Sequence, residues 1–175
     1  MQPGELLTIW TARGAMLVYA AFLWNRASRK PGSAWPVSDR WLWTLAAVLH
    51  LVHVFCAFQF VHHWSHSAAL RATAEQTAEL TGVADGRGLF LNYALTALWP
   101  LDAFSRWLPR TGSQPRLKWF QRGTECFVLF MAFNATLIFG RPETQRVAAI
   151  LSLALLLRWR IHRPRDNQQT LDTEL

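Results

Sequence analysis

The sequence predicts an all-α integral membrane bundle of about five transmembrane helices. Three observations carry this: apolar residues gather in blocks close to 20 long, Lys and Arg fill alternate gaps between the blocks, and tryptophans sit at the block ends. Of the 175 residues 51% are hydrophobic and only 17% are charged, below the roughly 25% charged residues of soluble domains. The aromatic content excludes intrinsic disorder, and two cysteines exclude a disulfide scaffold. The net charge of +7 does not point to nucleic acid, because the basic residues flank apolar blocks and do not line one face.

A hydrocarbon core of about 30 Å needs roughly 20 apolar residues in a helix. The predicted spans are 6–24, 41–61, 89–108, 120–139 and 147–159. The first is interrupted by Arg13, the second by His50, His53 and Gln59, and the third by Pro100, Asp102 and Arg106. Arg122 and Glu125 are the charges of the fourth. The fifth is short, so Arg146 and Arg158 must snorkel toward the headgroups for it to cross. Residues 1–165 form a single multi-pass domain, and 166–175 form a polar C-terminal tail.

The connectors orient the bundle. Arg26, Arg29, Lys30, Arg40, Arg106, Arg110, Arg116, Lys118, Arg122, Arg158, Arg160, Arg163 and Arg165 fall on one side, against Arg71, Arg87, Arg141 and Arg146 on the other. The positive-inside rule then places the N-terminus outside and the C-terminus in the cytoplasm. Trp10, Trp24, Trp41, Trp64, Trp107, Trp119 and Trp159 lie near predicted span ends, where indole rings favour the interface. The expected location is a bacterial-type cytoplasmic (inner) membrane. Residues 1–5 lack the basic start of a secretory signal, so the first span is expected to be retained.

Residues 65–80, rich in Ala, Glu, Gln and Leu, are expected to continue span two as a helix above the membrane and to end near Gly82. Pro31 to Ser33 and Pro109 to Pro115 read as cytoplasmic turns, and Gly140, Arg141 and Pro142 as a tight outer turn. Cys56 and Cys126 are expected at depths more than ~10 Å apart, too far for a bridge. Thr73, Thr77 and Thr81 form a narrow stripe suited to close packing.

Chemistry concentrates on span two. His50 and His53 lie within about 60° of each other near mid-bilayer. Arg13, His50, His53, Gln59, Asn92, Tyr93 and Asn134 share the outer half of the bundle and define a candidate polar pocket. A lipid-facing guanidinium is penalised by ~2.5 kcal/mol or more, so Arg13 is expected to turn inward toward His53. His62, His63 and His66 are candidate metal ligands, since His62 and His66 fall one turn apart on a continuous helix. Two such ligands are fewer than the four of structural zinc. Asp102 is expected to pair with Arg106, and Glu125 with Arg122.

Three function classes follow. The first is a noncatalytic subunit or assembly component, with the bilayer, another membrane protein or a second copy as partner. The second is a redox component taking haem, copper or quinone through the span-two histidines. Facing haem ligands would then need a homodimer, because both histidines sit on one helix. The third is a small transporter or proton-coupled carrier, disfavoured by the lack of internal duplication. Without a nucleophile or phosphate-loop motif, the first is the leading expectation and an enzyme is not favoured.

Overall fold

The structure, a computed structural model, describes residues 2–29, 33–109 and 114–162. The expected tail 166–175 and parts of the two expected cytoplasmic turns lie outside these residues. The described residues are all-helical: α1 (Pro3–Ala27), α2 (Val37–Cys56), α3 (His66–Thr81), α4 (Gly88–Ser105), α5 (Pro115–Phe133) and α6 (Pro142–His162). α2 runs on through a π-helical turn at Ala57–Val61, and α5 through one at Asn134–Ile138. All five apolar blocks are therefore helical over most of their length. Two of these segments, Pro3–Ala27 and Val37–Val61, are long and apolar enough to cross a membrane. The block at 147–159 belongs to a helix of 21 residues, longer than its apolar part.

Proline positions explain several starts. Pro3 and Pro115 occupy the first helical turn, where the missing N–H costs nothing. Gln2 N–H also donates to Glu5 Oε2 at 3.2 Å, closing the start of α1. Pro100 stands inside α4, which continues to Ser105 although one backbone hydrogen bond is lost there.

Helices α1, α2 and α4 alternate in direction along the chain. Thr8 meets His53 and Phe22 meets Trp43, so α1 and α2 are antiparallel. His50 meets Thr96 and Trp43 meets Asp102, which makes α2 and α4 antiparallel as well. Arg106 at the end of α4 reaches Gln121 and Glu125 on α5. Arg158 Nε donates to the Trp24 carbonyl at 3.1 Å, setting the C-terminal ends of α1 and α6 side by side. The turn at Gly140 is tight, since a Cβ there would collide with the Thr136 carbonyl.

The buried core is Tyr19, Phe22, Trp43, Ala46, Ala47, Leu95, Trp99, Ala103 and Val128. Ala46 and Ala47 let the helices approach closely around the large rings. Leu, Ile, Val, Phe and Trp side chains cover much of the exterior, and α6 buries no residue at all. All seven tryptophans expected at span ends are exposed; Trp43 and Trp99, outside that set, are wholly buried.

The expected continuation of span two into residues 65–80 is corrected. A separate helix, α3, does occupy this segment and ends at left-handed Gly82 as expected, but the chain breaks before it. His63 and Trp64 take φ of 49° and 57°, a region costly for non-glycine residues. The break is held by Trp64 N–H donating to the Phe58 carbonyl at 2.9 Å and Trp64 Nε1–H to Gln59 Oε1 at 3.0 Å. Ser65 then caps α3 by accepting from Ala68 N–H. Serine serves an N-terminus better than a helix interior, which favours restarting over continuing.

Candidate functional site

The expected outer pocket assembles only in part. His50 is buried, its Nε2 lying 3.3 Å from Thr96 Oγ1 on α4, with its ring beside Trp99 at 5.6 Å between centroids. One turn on, His53 Nδ1 donates to the Thr8 carbonyl of α1 at 2.9 Å. The two imidazole centroids are 6.5 Å apart. These histidines thus sit between α1 and α4, each tied to a different neighbour.

The other members do not converge on them. Arg13 is exposed, its guanidinium 5.1 Å from the Trp10 ring centre, which corrects the expected inward turn. The reason is rotational. α1 packs through Thr8, Ala15, Tyr19 and Phe22, and a residue five beyond Thr8 is turned by about 140° from it. Gln59 is exposed and accepts from Trp64, and exposed Asn92 offers its carbonyl to Thr96 Oγ1 at 2.8 Å. Asn134 Nδ2 donates to the Phe130 carbonyl of its own helix at 2.8 Å. Tyr93 pairs instead with His66, Oη to Nδ1 at 2.9 Å, joining α3 to α4.

His62 and His66 likewise turn to different neighbours. The left-handed break separates them, so His62 and His66 no longer share a helix face. His62 packs on Phe58 while His66 turns to Tyr93. No group of three or more His, Cys, Asp or Glu side chains suited to a metal occurs among the described residues. Both cysteines are free, Cys56 buried and Cys126 exposed. The threonine stripe closes on itself: Thr73, Thr77 and Thr81 each donate to the carbonyl four residues earlier at 2.9 Å.

Burial, and secondarily the neighbouring charge of His63, lowers the His62 pKa from its ordinary 6.5. The unfolded chain then binds a proton here at a higher pH than the folded one does. Stability at the α2–α3 turn should therefore be full above pH 6.5 and fall as pH drops from there toward the lower folded value. Amide exchange at Trp64 and Ser65 should speed up through that window in wild type. A Gln at position 62 should flatten the response; an unchanged response would assign it elsewhere.

The site that sequence reasoning missed lies at the opposite end. Asp102 is wholly buried and accepts from Trp43 Nε1–H and Arg106 Nε–H, both at 2.7 Å on Oδ2. Arg106 Nη2 donates to Asp102 Oδ1 at 3.2 Å and to Glu125 Oε1 at 2.9 Å. Its guanidinium lies 3.6 Å from the Trp35 ring centre, a close cation–π contact. Ser105 Oγ donates to the Asp102 carbonyl and accepts from Gln121 Nε2–H at 3.0 Å. The Asp102–Arg106 pairing is as the sequence suggested, whereas Glu125 pairs across helices with Arg106 rather than with Arg122. A signal was present: Trp99, Asp102 and Arg106 recur at helical spacing, and Trp43 and Trp99 stand away from span ends.

Nearby, the wholly buried Asp39 faces Arg29 Nε at 3.3 Å, although neither of its oxygens is aligned as a hydrogen-bond acceptor. The Trp99 indole N–H also has no acceptor. This end of the bundle is a charged, aromatic clamp. Its central groups bond to one another across three helices and present no nucleophile with an adjacent base.

No family model, curated protein or solved structure matches this chain.

Proposed function

We propose that the protein is a small multi-pass membrane component with a noncatalytic, structural role in a membrane assembly. The observation that carries this reading is the inverted distribution of polarity. Asp102, Arg106, Gln121 and Thr124 are buried, while Ile150, Leu153, Leu156, Leu157 and Ile161 of α6 are exposed. In water such an exterior is an aggregation liability, whereas in lipid it is the expected surface.

The polar side chains support a packing role because they bond to neighbouring helices. His50 and His53 tie α2 to α4 and α1, and Arg106 ties α4 to α5. Arg13 fits this reading despite facing outward. Its contact with Trp10, toward the N-terminal end of α1, directs the guanidinium to the nearer membrane surface.

The proposed topology has five crossings by α1, α2, α4, α5 and α6, with α3 outside, the N-terminus outside and the C-terminus cytoplasmic. The antiparallel run of α1, α2 and α4 supports it, as do the adjacent C-terminal ends of α1 and α6 and the basic residues Arg26, Arg40, Arg116, Lys118, Arg122 and Arg160 in the connectors and helix ends. A bacterial-type inner membrane suits that charge bias.

Reporter fusions test the topology: one after Arg165 should behave as cytoplasmic and one inserted near Ala84 as external. Opposite behaviour at both would overturn the orientation. The purified protein should show no haem absorbance; a stoichiometric haem band would replace the packing role with a redox one.

A further inference from the structure

The first two turns of α5 carry positive charge that the fold leaves unanswered. Arg116, Lys118 and Arg122 are all exposed. Among the described residues none of them makes an ion pair or a side-chain hydrogen bond. Glu125 is the one acidic residue of α5, and it is taken by Arg106 of α4 at 2.9 Å. Arg122 thereby loses its only local counter-charge. Lys118 and Arg122 stand one turn apart on neighbouring faces, a like-charged pair that weakens a helix unless an anion lies between them. No side chain caps the start of α5, so its free N–H groups add to the positive field.

The same face carries apolar groups in register with these cations. Trp119 is 72% exposed. Viewed down the helix, Arg116 lies about 60° to one side of it and Arg122 about 60° to the other. Below the indole the exposed Gly123, Cys126, Phe130 and Phe133 continue this face into the apolar block. Gly123 leaves a shallow notch there, since a Cβ added to it would meet nothing within 4 Å. Cations above and an apolar strip below match the two ends of a phospholipid. An acidic peptide would answer the cations and leave the strip uncovered.

We propose that the first two turns of α5 seat an anionic phospholipid. Arg116, Lys118 and Arg122 hold its phosphate, and an acyl chain lies along Gly123, Cys126 and Phe130. Arginine forks suit phosphate oxygens, and the indole suits the boundary between headgroup and hydrocarbon. A choline headgroup would bring its own cation against three others, so a net negative lipid is selected. The inference rests on the membrane reading of α5 and does not depend on the direction in which the bundle is inserted.

The test uses the full-length protein in mild detergent, exchanged into equal amounts of phosphatidylglycerol and phosphatidylcholine and read by native mass spectrometry. Wild type should retain phosphatidylglycerol in preference to phosphatidylcholine. The triple variant Arg116→Gln, Lys118→Gln, Arg122→Gln should retain it about 100-fold more weakly at unchanged helicity, at about fivefold for each cation near an anionic surface. Arg141→Gln with Arg146→Gln, on α6 and the turn before it, should bind as wild type does. Unchanged retention in the triple variant, an equal loss in the α6 variant, or displacement of the lipid by inorganic phosphate would each overturn the site. Equal retention of both lipids would overturn this inference and leave the membrane reading standing. Retention of neither lipid would overturn both.

Discussion

Replacing Arg106 with leucine is expected to lower the stability of the detergent-solubilised protein by about 3–5 kcal/mol. Arg106 is the only cation that hydrogen-bonds Asp102 among the described residues, and Asp102 is wholly buried. Removing the guanidinium leaves a carboxylate facing Trp43 Nε1–H alone, with Glu125 losing its cross-helix partner. A buried charge without its partner costs far more than the intact pair gains. The double variant Asp102→Leu with Arg106→Leu should therefore be less destabilised than Arg106→Leu by itself. Equilibrium unfolding in mixed micelles measures both. A double variant as unstable as the sum of the two singles would show that the groups act independently and that no network exists.

The second large effect is expected at Trp43. Trp43→Ala should cost about 3–5 kcal/mol, in the range of core aromatic truncations. Its ring is wholly buried and lies 5.0 Å from Phe22, 5.5 Å from Trp35 and 5.4 Å from Trp99 between centroids. Trp43→Phe keeps most of that packing and removes the donor to Asp102, so it should cost about 1.5–3 kcal/mol, as for hydrogen bonds to charged groups. Trp119→Ala provides the contrast. That side chain is 72% exposed, so its loss should change unfolding by no more than about 0.5 kcal/mol. Equal effects at positions 43 and 119 would mean that the aromatic core does not hold the bundle together.

These two predictions rest on residues that the sequence marked only faintly. Asp102 and Arg106 could be paired from their spacing, because i and i+4 are neighbours on any helix. Glu125 has the same local option in Arg122, yet it takes Arg106, because the end of α4 packs beside α5 at the level of Gln121 and Glu125. Ser65 shows another limit. The helix-forming composition after it favoured an uninterrupted helix, whereas the structure uses it as the N-cap of α3. Only the hydrogen bonds from Trp64 to Phe58 and Gln59 tipped the balance toward a break. With that break the His62–His66 pairing disappeared.

What the sequence by itself determined is position along the helix axes: the five apolar blocks, their polar connectors and the tryptophans at their ends. Local composition suffices there, because a residue's level follows from its distance along the chain, about 1.5 Å per residue. What only the tertiary structure decided is rotation about those axes. Arg13 and Thr8 lie on the same helix near the same end, yet Thr8 receives His53 while Arg13 faces outward over Trp10. Trp41 and Trp43 are two residues apart, one 61% exposed and the other wholly buried. Each residue turns its helix by 100°, so the inward face depends on which neighbours a helix packs against, and that is set by contacts between segments distant in sequence.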